Sequence, residues 1–117
     1  MSLPVKREPT PEELIEQGKR YDLEGQWDEA IEVYSQAIEL ARRKGKSRMV
    51  AEALRLRGNI QFKKNEWGNA LDSFQQSLEH FQSLKELRGT AYSQNSIGNI
   101  YLRRGSGNWQ KGTTSNR

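Results

Sequence analysis

The sequence predicts an all-α solenoid of two full helix-turn-helix units and a third helix that closes the stack. Two observations lead there. The stretch Gly18 to Ala37, GKRYDLEGQWDEAIEVYSQA, returns forty residues later as Gly58 to Ser77, GNIQFKKNEWGNALDSFQQS. Gly18 then meets Gly58, Trp27 meets Trp67, Ala30 meets Ala70, Tyr34 meets Phe74 and Ala37 meets Ser77, and a partial third copy begins at Gly98. Self-similarity at a period of about 20–50 residues marks units that bury their apolar faces by stacking. The second observation is spacing. Ala30, Ile31, Tyr34, Ala37, Ile38 and Ala41 lie along one helical stripe.

Residues 1–10 hold two of the three prolines and read as a disordered lead-in. Thr10-Pro11-Glu12-Glu13 then starts a helix: Thr10 caps, Pro11 suits the first helical position and Glu13 completes a capping box. This first helix is expected over Pro11 to Glu24, with Leu14, Gly18 and Tyr21 inward and Gly25 ending it in the left-handed region. The second starts at Trp27 or Asp28 and ends at Gly45. Its small Ala30 and Ala37 permit close approach, as Gly18 does from the other side. Ser47 is expected to cap a third helix over Arg48 to Lys64, with Val50, Leu54 and Gly58 inward. Asn65 matches Gly25 at the next turn, since asparagine is the next-best residue for a left-handed position. The fourth helix covers Trp67 to Leu84, with Ala70, Leu71, Phe74, Leu78 and Phe81 inward. A connection at Lys85 to Leu87 leads to a fifth helix that ends at Arg104. The outward side of that helix leaves Ile100 and Leu102 with little cover. Gly105 to Trp109 repeats the Gly-x-Trp turn with two residues added, and no apolar stripe follows, so no full sixth helix is expected. The units are thus 11–45, 47–85 and a partial 87–104 within one domain, 11–104, with 105–117 an irregular basic tail.

Apolar residues make up 33% of the chain, and mean hydropathy is -0.97. That is low for a compact globule, but each unit of a stack buries only a thin layer against its neighbours. Residues 1–100 carry 15 Lys/Arg and 15 Asp/Glu, so the formal charge of +4 comes from Arg103, Arg104, Lys111 and Arg117. The absence of cysteine excludes disulfides and thiolate chemistry. No apolar run approaches the ~18 residues of a membrane span, and no signal-peptide pattern opens the chain. A soluble cytoplasmic protein without a membrane partner is expected.

Catalysis has little to work with. His80 is the one histidine and has no partner that sequence can place beside it. The pairs Glu12–Glu13 and Asp28–Glu29 sit at helix starts, where they favour the helix dipole. No Gly-rich phosphate loop, nucleophile elbow or metal-ligand spacing is present. The expectation is no enzyme, no cofactor and no metal.

Leu14, Gly18, Tyr21, Ala30 and Tyr34 in the first copy, Leu54, Gly58, Ala70 and Phe74 in the second, and Gly98 and Tyr101 in the third resemble the tetratricopeptide repeat pattern. Gln61 replaces the mid-helix aromatic in the second copy, and no proline closes either full unit. The forty-residue spacing exceeds the usual length of about 34 and is similar to the long-helix variety found in peptide-binding adaptors. The resemblance covers Pro11 to Gly105. It implies a right-handed superhelix whose first, third and fifth helices line a concave face, and a non-catalytic module that binds a protein or peptide there.

On those helices the resemblance points to Ile15, Lys19 and Asp22; to Arg55, Asn59, Phe62 and Lys63; and to Tyr92, Asn95, Asn99, Leu102 and Arg103. Each set keeps one helical face. Asn59, Asn95 and Asn99 correspond to amides that grip a peptide backbone in such adaptors, since an amide offers donor and acceptor together. Lys19, Arg55, Lys63 and Arg103 outnumber Asp22, which favours a peptide with acidic residues or a free carboxylate. Phe62 and Tyr92 offer an apolar anchor. The clamp by which some modules of this kind hold chaperone C-termini is absent: Ile15, Lys19, Leu56, Tyr92 and Ser96 stand at the matching places.

Two other partner classes follow from the sequence. The uncovered fifth helix suggests a homo-oligomer, or a piece of a longer array. The run Arg42, Arg43, Lys44, Lys46 and Arg48 would suit nucleic acid, but helix-dipole compensation explains Arg42 to Lys44 and no aromatic residues are interleaved. Nucleic acid is the least favoured partner.

Overall fold

A computed structural model of the protein describes residues 7–104. They form five helices: α1 (Pro11–Leu23), α2 (Trp27–Arg43), α3 (Ser47–Lys63), α4 (Trp67–Ser83) and α5 (Leu87–Arg104). Each helix packs on the next, and α1 touches α3 as α3 touches α5. The fold is an all-α helical-repeat solenoid.

The first helix starts as its residues dictate. The Glu13 N–H donates to Thr10 Oγ1 (3.1 Å) and the Thr10 N–H to Glu13 Oε1 (2.9 Å), closing the capping box. A hydrogen bond from Arg7 and these amide contacts hold the Glu13 carboxyl below its usual range.

The four turns are copies of one another at twenty-residue intervals. In the first, the Gln26 N–H donates to the Tyr21 carbonyl (2.8 Å) and the Gly25 N–H to the Asp22 carbonyl (3.0 Å). This 6→1 and 5→2 pairing with a left-handed penultimate residue is a Schellman turn. It recurs with Gly45, Asn65 and Lys85 in the left-handed position, at φ 69°, 63° and 56°. The fourth turn falls at the expected connection, but its left-handed residue is a lysine, which the sequence did not mark. Ser47 does not cap α3, contrary to expectation. Lys46 holds that place without a side-chain bond, and its backbone joins the two helices: its N–H closes the preceding turn and its carbonyl accepts from Val50.

Of the predicted packing residues, Leu14, Ala30, Tyr34, Leu54, Ala70 and Phe74 are buried, as are Gly18 and Gly58, and Tyr21 is half-buried. The glycines are there for space. A Cβ on Gly18 would run into the Tyr34 ring, and one on Gly58 would come within 2.9 Å of Phe74. Gly89, which the sequence reading passed over, meets the Phe81 ring in the same way. Gly98 and Tyr101 depart from expectation. Both are exposed, because no helix among the described residues covers that side of α5. Ile100 departs in the opposite direction: it is fully buried against Ala70 and Phe74. The predicted absence of a sixth helix lies outside the described residues.

The second unit trades apolar for polar contacts. Gln61, at the place of Tyr21, is buried and accepts from Ser73 Oγ (2.7 Å). Arg57 donates to Ser73 (3.1 Å) and across to Ser35 on α2 (3.1 Å), and burial lowers its pKa. Ser77, at the place of Ala37, donates to the Ala51 carbonyl (3.1 Å) and shares a bond with Ser93 (3.2 Å). The hydroxyls of the buried Ser73, Ser77 and Ser93 all have partners, as burial requires.

Three outcomes follow. Gly18→Ala should lose about 1–2 kcal/mol in urea unfolding, because displacing the buried Tyr34 ring outweighs the better helix propensity. Lys85→Gly should gain about 0.5–1 kcal/mol in the same assay, relieving a left-handed lysine. Burial, first, and the charge of Asp22 push the Tyr34 phenol from 10.0 up to about 12. The unfolded chain then ionises first, so the contribution of Tyr34 is whole below pH 10 and lost between pH 10 and 12. Between pH 8 and pH 11 a Tyr34→Phe variant should therefore lose about 1 kcal/mol less stability than the wild type.

Candidate functional site

The odd-numbered helices share one side of the stack, and among the described residues cavities open between them. The first, about 300 Å³, sits between α1 and α3 over Ile15 and Met49, edged by Glu12, Glu16, Lys19, Arg48 and Glu52. The second, about 200 Å³, lies between α3 and α5 and is lined by Asn59, Phe62, Phe74, Tyr92, Ser96 and Asn99. A third of about 170 Å³ opens on the other side of Tyr92, where Arg55 and Gly89 contribute.

Tyr92 is the wall between the last two, and it is fixed from both sides. Its O–H donates to Asn59 Oδ1 (3.1 Å), and the Arg55 guanidinium lies 4.8 Å from its ring centre. Arg55 is itself held by Glu52 at 2.9 Å. Farther along the helices, Lys63 ties α3 to α1 through Asp22 at 2.9 Å and lies 5.9 Å from the Trp27 ring. Forty residues on, Arg103 makes the equivalent tie from α5 to α3 by stacking 5.4 Å over Phe62. The repeat keeps the clasp and exchanges an ion pair for a cation–π contact.

This register of helices agrees with a family match. The family model described as "Tetratricopeptide repeat" covers residues 21–83, over half of the 117-residue chain. The chain belongs to the tetratricopeptide repeat family. No curated protein and no solved structure matches it. Tetratricopeptide repeats generally mediate protein–protein interaction, and the family is typically non-catalytic.

Within this repeat protein, the sequence-predicted residues divide. Asn59, Phe62, Tyr92 and Asn99 meet at one cavity. Asn95 is exposed and lies outside it, so two amides rather than three come together. Ile15 is a core residue beneath the first cavity, 7% exposed, rather than a free groove contact. Leu102 lines none of the three cavities. Of the four cations counted from the sequence, Lys63 is paired with Asp22, Arg55 with Glu52 and Lys19 with Glu16, while Arg103 stacks on Phe62.

Sequence reasoning named Ser96 only as a place where the chaperone clamp is absent, and missed Met49 and the glutamates of the first cavity. A signal was there. Ser96 falls four residues after Tyr92 and three before Asn99, and Glu12, Glu16 and Lys19 share one helical face.

The basic run is dispersed. Arg42 bonds Gln76 (3.0 Å), Lys46 pairs with Glu12 (3.4 Å) and Arg48 with Glu86 (3.3 Å). Among the described residues there is no cluster of metal-ligating side chains, and no helix is long and apolar enough to cross a membrane.

Proposed function

We propose that the protein is a non-catalytic adaptor that takes an extended segment of a partner protein across α1, α3 and α5. The observation that carries this reading is the cavity between α3 and α5. Its volume of about 200 Å³ suits one apolar side chain of a ligand. Phe62 and Tyr92 supply the aromatic contact and Ser96 a hydroxyl. Asn59 and Asn99 supply amides for the ligand backbone, whose own donors and acceptors need partners once water is displaced. The hydrogen bond from Tyr92 leaves the Asn59 NH₂ group to donate. Because Tyr92 is fixed by Asn59 and Arg55, little side-chain ordering remains to be done on binding. The cavity over Ile15 and Met49 extends the same track to α1.

The test is selection of random peptides from a displayed library on the full chain, followed by the Asn59→Asp, Asn99→Asp double variant. A carboxylate at position 59 still accepts from Tyr92, so the fold and the wall of the cavity are kept while the ligand-facing donors are removed. Affinity for the selected peptides should fall about tenfold or more, with unchanged circular dichroism. Equal binding by the double variant would sink the proposal.

A further inference from the structure

Three glycines that lie where helices meet each receive an aromatic ring from the facing helix: Gly18 from Tyr34, Gly58 from Phe74 and Gly89 from Phe81. Gly98 holds the same place in the repeat, forty residues after Gly58, yet no atom of the described residues lies within 4 Å of where its Cβ would be. The rings that fill Gly18 and Gly58 come from sixteen residues downstream, and sixteen after Gly98 stands Thr114. The register of the repeat supplies no ring for this notch.

Another ring is close by. Tyr101 is three residues along α5 and 55% exposed, and Leu87 and Leu102 are 83% and 70% exposed. With Ala91 and Gly98 they form a stripe on the side of α5 opposite the buried Ser93 and Ile100. Of the six large hydrophobic residues exposed among the described residues, four are on α5, so the unpartnered apolar surface is concentrated on this one helix.

We propose that this outward face of α5 recognises a second copy of the chain. Two α5 helices crossing antiparallel about a two-fold axis between residues 99 and 100 set Tyr101 of each copy over Gly98 of the other. The pairing rebuilds, between chains, the glycine–ring contact that the chain uses three times within itself. An isologous interface of this kind closes on itself and stops at two. Charge allows it: in this register Arg103 and Arg104 come opposite Ser96 and Asn95, so like charges do not face one another. In this register the two helices overlap over residues 95–104, a face about 15 Å long, which buries less than the roughly 1,200 Å² of a standard interface. The dimer is therefore weak and reversible. The surface is separate from the cavity between α3 and α5, because neither Gly98 nor Tyr101 lines it.

Sedimentation equilibrium of the full chain over a wide micromolar range tests this. The expected result is a monomer–dimer equilibrium that Tyr101→Glu abolishes with helix content preserved. Gly98→Ala gives the sharper signature, since its Cβ meets no atom of the described residues. Dilute protein should melt higher, from better helix propensity, while the dimer dissociation constant rises about tenfold because the ring can no longer approach. A monomer at every concentration overturns the proposal. So does a dimer indifferent to both substitutions, or a species that grows beyond two with concentration. If Tyr101→Glu fails to fold, the opposed effects of Gly98→Ala decide alone.

Discussion

The distance between neighbouring helix backbones is the constraint on which this structure depends. Gly18, Gly58 and Gly89 lack the one atom that would hold a facing ring away, and the rings of Tyr34, Phe74 and Phe81 sink into the spaces they leave. Close approach fixes the rest. Helices that touch along their length need only short connections, and each connection here is three residues. With turns so short the chain reverses at every helix, and α1, α3 and α5 arrive on one side. The cavities are the gaps left on that side between side chains, and their walls are as fixed as the backbone contacts beneath them.

A thin core leaves room for polar chemistry inside. Arg57 reaches Ser73 and Ser35 from α3, joining three helices through one guanidinium. A larger apolar core would hold such a group only at great cost. Here burial is partial and hydroxyls stand around it. Serines take alanine and aromatic-adjacent places without leaving unmet donors. This is how a chain with a mean hydropathy of -0.97 still encloses Leu54, Ile60 and Ile100 completely.

Most of the fold was legible because the chain repeats itself. Helix starts and ends, the close-packing glycines and the left-handed Asn65 could be found by comparing one copy with the next. Legibility failed where a residue type did not announce its conformation or its neighbours. Lys85 is left-handed although lysine gives no such sign, and it was the twenty-residue interval that held the information. Ile100 was assigned to the open side because a single helical wheel does not show that α3 and α4 both lean on α5. The candidate site was legible as positions and illegible as charge. Spacing put Asn59, Tyr92 and Asn99 on facing surfaces, but counting lysines and arginines overlooked Glu16 and Glu52 one turn away, whose pairing depends on side-chain reach.

The end of the array has a kinetic side. Neighbour-only contacts make the stack nearly one-dimensional, so its ends can open without its middle. The fifth helix is held along one flank, yet it carries Tyr92, Ser96 and Asn99, half of the lining between α3 and α5. A ligand of the proposed kind seated there would hold α5 down, and part of its binding free energy would go into suppressing that opening. Occupancy of the proposed groove and slow amide exchange along residues 87–104 would then be two readings of one equilibrium.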